Sequence, residues 1–153
     1  MWHETTFQSW LTADPDRLAR LGVGELFFVG NAGRLKRLVD MVFISAEDAL
    51  VLVEVKNERT TREVIGQALE YAARLQDATL EEVADAYGVD MLRLKRSPAL
   101  SSKRCIVFVA PEFDVTCHVT VPYLRPLAGD KGVTFHLVRA ISDNGKDFDV
   151  KPD

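Results

Sequence analysis

Three charged side chains stand where apolar ones are expected. Asp40 interrupts the run Leu38-Val39-Asp40-Met41-Val42-Phe43-Ile44, and Glu54 and Lys56 interrupt Val51-Leu52-Val53-Glu54-Val55-Lys56. Both runs have the β-branched, apolar composition of strands, and a charge within such a run is costly to bury unless it is paired or bound to a metal. Glu54 and Lys56 differ by two positions, so they project from one face of their strand. The polar stretch Ser45-Ala46-Glu47-Asp48 predicts a hairpin with a loop of about four or five residues. Centring that hairpin near residue 47 sets Asp40 opposite Glu54. Two carboxylates and an ammonium then converge on one patch. Like charges this close repel, and a divalent cation is the usual means of keeping both ionised. Oxygen donors suit magnesium, which keeps several waters and is often held by one or two carboxylates plus a substrate phosphate. Lys56 beside it would orient or deprotonate a water, or steady the charge on a phosphate. A solvated hairpin with a cross-strand ion pair accounts for the flanks poorly, because they are apolar on both faces.

The elements that must hold this patch are legible in outline. Phe7, Trp10 and Leu11 recur at helical spacing in Glu4-Thr5-Thr6-Phe7-Gln8-Ser9-Trp10-Leu11, and Asp14-Pro15 breaks that helix or starts another. Leu26 to Val29 is a short strand ending in the turn signal Gly30-Asn31-Ala32-Gly33. After the hairpin strands Leu38–Ile44 and Leu50–Lys56, Thr60 and Glu63 form a capping-box pair for a helix over about 61–76. Thr79 and Glu82 repeat the signal for a shorter helix ending at Gly88, and 92–104 is a basic, exposed connection. Cys105-Ile106-Val107-Phe108-Val109-Ala110 predicts a strand covered on both faces. A helical stretch near 121–128 and a strand Val133–Val138 complete an α/β domain with a mixed sheet flanked by helices, spanning 1–153 as one unit.

The pattern of Asp40 followed by Glu54-Val55-Lys56 resembles the PD-(D/E)XK nuclease superfamily, which has a restriction-endonuclease-like αβββαβ core. Gln67 and Tyr71, in Ile65-Gly66-Gln67-Ala68-Leu69-Glu70-Tyr71-Ala72, match the Gln-x-x-x-Tyr motif of its RecB-type branch. The opening segment from Glu4 to Leu11 with Asp14-Pro15 is similar to NucS-type endonuclease domains, and Val109-Ala110-Pro111-Glu112-Phe113 is similar to a strand end in the same group. The likeness covers roughly residues 3–77. It implies that Asp40 and Glu54 bind Mg2+ or Mn2+ with the Val55 carbonyl as a third ligand, and that Lys56 is the catalytic lysine. Gln67 and Tyr71, one turn apart on one helix face, would line the cleft. Glu4 would supply the glutamate of the first helix, with Glu25 as the fallback. Gly66 costs helix stability, which suggests close packing against the sheet. The implied activity is metal-dependent hydrolysis of DNA phosphodiesters, endo- or exonucleolytic, leaving 5′-phosphate and 3′-hydroxyl ends. The alternative is a catalytically inactive nuclease-like module for DNA binding or assembly.

Composition bounds these expectations. The chain has 153 residues, 47% of them apolar and 27% charged, which suits one domain with a substantial core. A net charge of −4 argues against coating nucleic acid by electrostatics alone, though not against cutting it. Basic residues cluster locally at Arg34-Lys36-Arg37, at Arg59 and Arg62, and at Arg93-Lys95-Arg96 with Lys103-Arg104. Of these, Arg37, Arg59, Arg62, Arg93, Lys95 and Arg96 are the expected DNA contacts. Residues 79–94 also resemble a helix-turn-helix, with Ala84 and Gly88 at fitting positions, but the second helix is short and runs into Ser97-Pro98. Cys105 and Cys117 are too few for a disulfide framework or a zinc site. With no signal-like start and no apolar run of spanning length, a cytoplasmic location is expected. The expected partners are DNA and either a second copy of the chain or a DNA-targeting protein.

Overall fold

The computed structural model describes residues 2–31, 39–60, 62–90 and 100–153. Its elements are α1 (Glu4–Ala13), a 3-10 helix (Pro15–Leu21), β1 (Leu26–Asn31), β2 (Met41–Ser45), β3 (Leu50–Val55), α2 (Glu63–Arg74) and α3 (Leu80–Ala86). Then follow β4 (Arg104–Ala110), α4 (Val115–Gly129), β5 (Val133–Ile141) and β6 (Asp149–Pro152). The six strands form one sheet in sequence order. β1, β2 and β3 are antiparallel, while β3, β4 and β5 are parallel. Parallel neighbours need crossovers, and α2 with α3, then α4, provide them. β6 closes the far edge antiparallel to β5.

Strand alternation divides the core into two layers. Val42, Ile44, Leu50, Leu52, Ile106 and Phe108 face one way, against Val64 and Ala68 of α2, Leu80 and Val83 of α3, and Cys117 and Val121 of α4. Met41, Phe43, Val51, Val53, Val55, Val107 and Val109 face the other way, against Phe7 and Leu11 of α1 and Leu18 of the 3-10 helix. Trp2, Phe7, Trp10 and Phe148 stack at centroid distances of 5.0–5.7 Å over this second layer. Asp40 and Glu54 carry even numbers, like Val42 and Leu52, and therefore belong to the α2 layer. Among the described residues, no helix is long and apolar enough to cross a membrane.

Several boundaries differ from expectation for identifiable reasons. β1 runs through Gly30 to Asn31 with a register shift between Phe28 and Gly30, and the rest of the expected turn, Ala32-Gly33, lies outside the described residues. A glycine is required at 30 because a Cβ there would come within 2.8 Å of the Tyr87 Cβ. The Thr60–Glu63 capping box is not made. Thr60 is recruited by the chain beyond β4, accepting the Asp114 amide on its carbonyl at 3.1 Å and donating its own amide to the Glu112 carbonyl at 3.1 Å. Arg62 stands at the head of α2 without a side-chain cap. The second box is made, with Thr79 Oγ1 accepting the Glu82 amide at 3.2 Å and donating to the Glu82 carboxylate at 3.1 Å. α4 starts at Val115, ahead of the expected stretch, because Asp114 Oδ1 accepts the Cys117 amide at 3.2 Å. Gly66 is not packed on the sheet either; it points outward, and a Cβ there would meet nothing within 4 Å.

Candidate functional site

The hairpin register brings the first three charged residues together. Met41 pairs with Val53, so the next step beyond the ladder faces Asp40 with Glu54. There the side chains continue what the backbone ladder began. Asp40 Oδ2 accepts the Val55 amide at 2.8 Å, and Glu54 Oε2 accepts the Asp40 amide at 3.2 Å. Lys56 Nζ lies 3.2 Å from Glu54 Oε1, and only 8% of the Glu54 side chain is exposed. Tyr71 of α2 donates its hydroxyl to Glu54 Oε2 at 3.4 Å. The Lys56 amide donates to the Val109 carbonyl at 2.8 Å, fixing the Lys56 backbone to β4.

Electrostatics at this point are those of charges held out of water. Burial, together with the neighbouring Glu54 and Glu4 charges, pushes the Asp40 carboxyl up to about 7, against the lowering pull of the Val55 amide and Lys56. Burial raises Glu54 as well, restrained by Lys56, the Asp40 amide and the Tyr71 hydroxyl. Burial and the two carboxylates push Tyr71 upward, so it acts as a neutral donor. The opposed acids thus resist ionising together, and a cation between or beside them would relieve that resistance.

Glu4 approaches from α1 on the opposite layer, and its Oε1 accepts the Asn57 amide at 3.2 Å, just past β3. Its charge is felt at Asp40. Glu25 is at the other end of the sheet, beside Leu26, which pairs with Ser45, and its carbonyl accepts the Ala46 amide. The fallback residue is therefore a hairpin length away from Asp40. Gln67 lines a cleft of about 390 Å³ together with Lys56, Arg59, Thr60 and Glu63. Its Oε1 is buried and has no hydrogen-bond partner among the described residues, which leaves an acceptor for a water or ligand donor.

Of the expected DNA contacts, Arg59 is exposed and lies 3.8 Å from Glu112, and Arg62 is exposed at the head of α2. Arg37, Arg93, Lys95 and Arg96 lie outside the described residues, as does the second helix of the helix-turn-helix reading. Arg104 does not belong to a basic surface. It is buried and donates to the carbonyls of Leu75 at 3.0 Å, Ala78 at 3.2 Å and Ser101 at 2.7 Å. Sequence reading missed Tyr87, whose hydroxyl donates to the Val39 carbonyl at 2.6 Å. No local signal announces a contact that crosses from α3 to the strand before Asp40.

Among the described residues, no three Asp, Glu, His or Cys side chains form a ready-made metal cage. The donor chemistry nevertheless fits a hard divalent ion that keeps water in most of its coordination sites. Asp40 and Glu54 offer oxygen, each is disfavoured as a lone anion, and the Gln67 oxygen is left without a donor.

A mixed sheet with a charged hairpin end under α2 is the restriction-endonuclease-like architecture, and comparison with solved structures gives the same class. The chain is similar to EndoMS in a complex with double-stranded DNA, at 14% identity and a TM-score of 0.53, over 89% of this chain and 44% of that one. It is also similar to a repair endonuclease from Pyrococcus abyssi, at 13% identity and a TM-score of 0.48, over 91% and 48%. The chain spans less than half the length of these structures. No protein-family model and no curated protein sequence matches it.

Proposed function

We propose that this chain is a metal-dependent deoxyribonuclease using Mg2+ or Mn2+ at Asp40 and Glu54. The observation that carries the reading is the convergence of the buried Glu54, the half-buried Asp40 and Lys56 at the end of β3, with Lys56 Nζ 3.2 Å from Glu54. The DNA-bound state of the structural neighbour favours DNA as the substrate. Asp40 and Glu54 would hold the ion with the Val55 carbonyl, and Glu4 would stand behind it, through water or directly. When bound, the ion would supply Lewis acidity toward a phosphate oxygen and an attacking water. Lys56 would orient that water or balance charge on the phosphate. Tyr71 keeps Glu54 turned toward the site, and Gln67 offers its unpaired oxygen to a water donor. Arg59, which lines the same cleft, and Arg62 at the head of α2 would hold the DNA backbone.

The ion should reveal itself as stability in the absence of DNA. At a hundredfold excess over its dissociation constant, one ion bound only by the folded state adds about 2.7 kcal/mol. For a domain of this length that is roughly 5–10 °C in Tm. The pH dependence follows from Asp40, whose carboxyl is raised from about 3.8 in the unfolded chain to about 7. Protonated Asp40 favours the fold below its unfolded value, and that contribution is lost as pH rises through about 7. The ion must displace the same proton, so its effect on Tm should grow between about pH 6 and about pH 8. Melting series with magnesium, manganese and calcium should show the shift in wild type. Asp40→Asn should lose most of it, Glu4→Gln part of it, and Glu25→Gln none. A wild-type Tm indifferent to all three ions would remove the metal site from the account.

A further inference from the structure

The backbone that carries Asp40 is not held by the sheet itself. The first ladder pair between β2 and β3 is Met41 with Val53, so Val39 and Asp40 precede it. Their restraint comes from side chains. Glu54 accepts the Asp40 amide at 3.2 Å, the Asp40 carboxylate accepts the Val55 amide at 2.8 Å, and the Tyr87 hydroxyl donates to the Val39 carbonyl at 2.6 Å. The first two of these groups are the proposed metal ligands, which must be free to adjust when an ion binds. Tyr87 is the one brace of the three that is not itself part of the carboxylate pair.

Tyr87 is well placed to be rigid. It ends α3, where its amide donates to the Val83 and Ala84 carbonyls at 3.2 Å. Gly88 follows with φ 68°, and the Val89 amide returns to the Ala84 carbonyl at 2.8 Å. The ring's approach to the strands depends on Gly30, where a Cβ would stand 2.8 Å from the Tyr87 Cβ and 3.2 Å from Val89 Cγ2. β1 shifts register beside that glycine. α3 itself is anchored by the buried Leu80, Val83 and Ala84. A rigid helix end, a glycine window and a short hydrogen bond thus meet at the residue before Asp40.

We propose that Tyr87 is a positioning residue, whose hydroxyl fixes the Val39 carbonyl and thereby sets the Asp40 carboxylate for its ligand. The hydroxyl acts through the peptide that joins Val39 to Asp40. This makes α3 a brace for the site. The consequence for metal affinity rests on the nuclease reading, whereas the consequence for the Asp40 backbone does not.

The test is Tyr87→Phe, which keeps the ring against Gly30 and deletes one hydrogen bond. Two measurements on the whole chain separate the parts. Amide hydrogen exchange of the metal-free protein should be at least about tenfold faster at Asp40, while β5 and α4 keep their wild-type rates. Calcium titration without DNA should give an affinity about 10–100-fold weaker, the range seen when a residue supporting a metal ligand is removed. Tm should fall only slightly. If wild type binds none of calcium, magnesium and manganese but Asp40 exchange still rises selectively, the brace stands and the metal reading falls. Exchange that rises uniformly across the chain, or an Asp40 amide and a calcium affinity both unchanged, would overturn the positioning role.

Discussion

Lys56→Met should slow phosphodiester cleavage by roughly 10²–10⁴-fold, with the protein still folded and still binding DNA. The aliphatic stem is kept, so little packing is lost. What disappears is a cation 3.2 Å from Glu54 Oε1, at the place where charge would develop on the phosphate. A second consequence separates this role from a simple surface pairing. Lys56 lowers the carboxyl pKa at both Glu54 and Asp40; without it both acids hold their protons to higher pH. The pH profile of the residual activity should therefore move to the alkaline side of the wild-type profile. Single-turnover rates across pH, at saturating metal, measure both effects together. A variant with a wild-type rate and an unmoved profile would make Lys56 only a counter-ion of Glu54.

The second large effect concerns stability and falls on Arg104, which in the sequence stands in a basic cluster with Lys103. Its guanidinium serves the carbonyls of Leu75 and Ala78 after α2, with the Ser101 carbonyl on the approach to β4. Arg104→Met would take a donor from these part-buried carbonyls, of which Leu75 keeps the Ala78 amide at 3.3 Å, at a cost of about 1–3 kcal/mol for each one left unpaired. Relaxation and water entry recover part of that, so a net loss of about 3 kcal/mol is expected, or roughly 6–12 °C in Tm. Arg104→Lys should fall between, because it keeps the charge but not the planar fork. Thermal melts of the two variants check the order. An Arg104→Met protein with unchanged Tm but a flatter salt dependence of DNA binding would return this residue to the surface.

The parts of the molecule that were legible share one property: the signal and the structure are local. The register of Asp40 against Glu54 follows from the polar loop at 45–48 and the period of two in strands, and the observed pairing of Met41 with Val53 agrees. The Thr79–Glu82 cap needs only four residues and is made. Thr60 and Glu63 have the same spacing, yet the cap fails because Thr60 bonds instead to Glu112 and Asp114, about fifty positions away. Gly30 looks like a turn glycine, but its reason is the Tyr87 ring arriving from α3. Arg104 sits next to Lys103 in a basic stretch, and only the fold turns it inward. β6 was not foreseen, because Asp149–Pro152 is short and polar and is held through its pairing with β5 and by Phe148 against Trp2. The ranking of Glu4 over Glu25 rests on the family resemblance alone, since their distance from Asp40 depends on how α1 and β1 dock. Long-range packing decides each of these cases, and no local pattern encodes it.

The measurement closest to the central claim is cleavage itself. Purified wild type would be incubated with linear duplex, single-stranded, flap and mismatched DNA, in magnesium, in manganese and in excess chelator, beside Asp40→Asn. The account predicts products from at least one DNA form in magnesium or manganese, carrying 5′-phosphate and 3′-hydroxyl ends. It predicts none in chelator and none from Asp40→Asn at any metal concentration. Failure of folded wild-type protein to cut any of these DNAs with either metal would contradict it. Undiminished cutting by Asp40→Asn or in chelator would contradict it as directly.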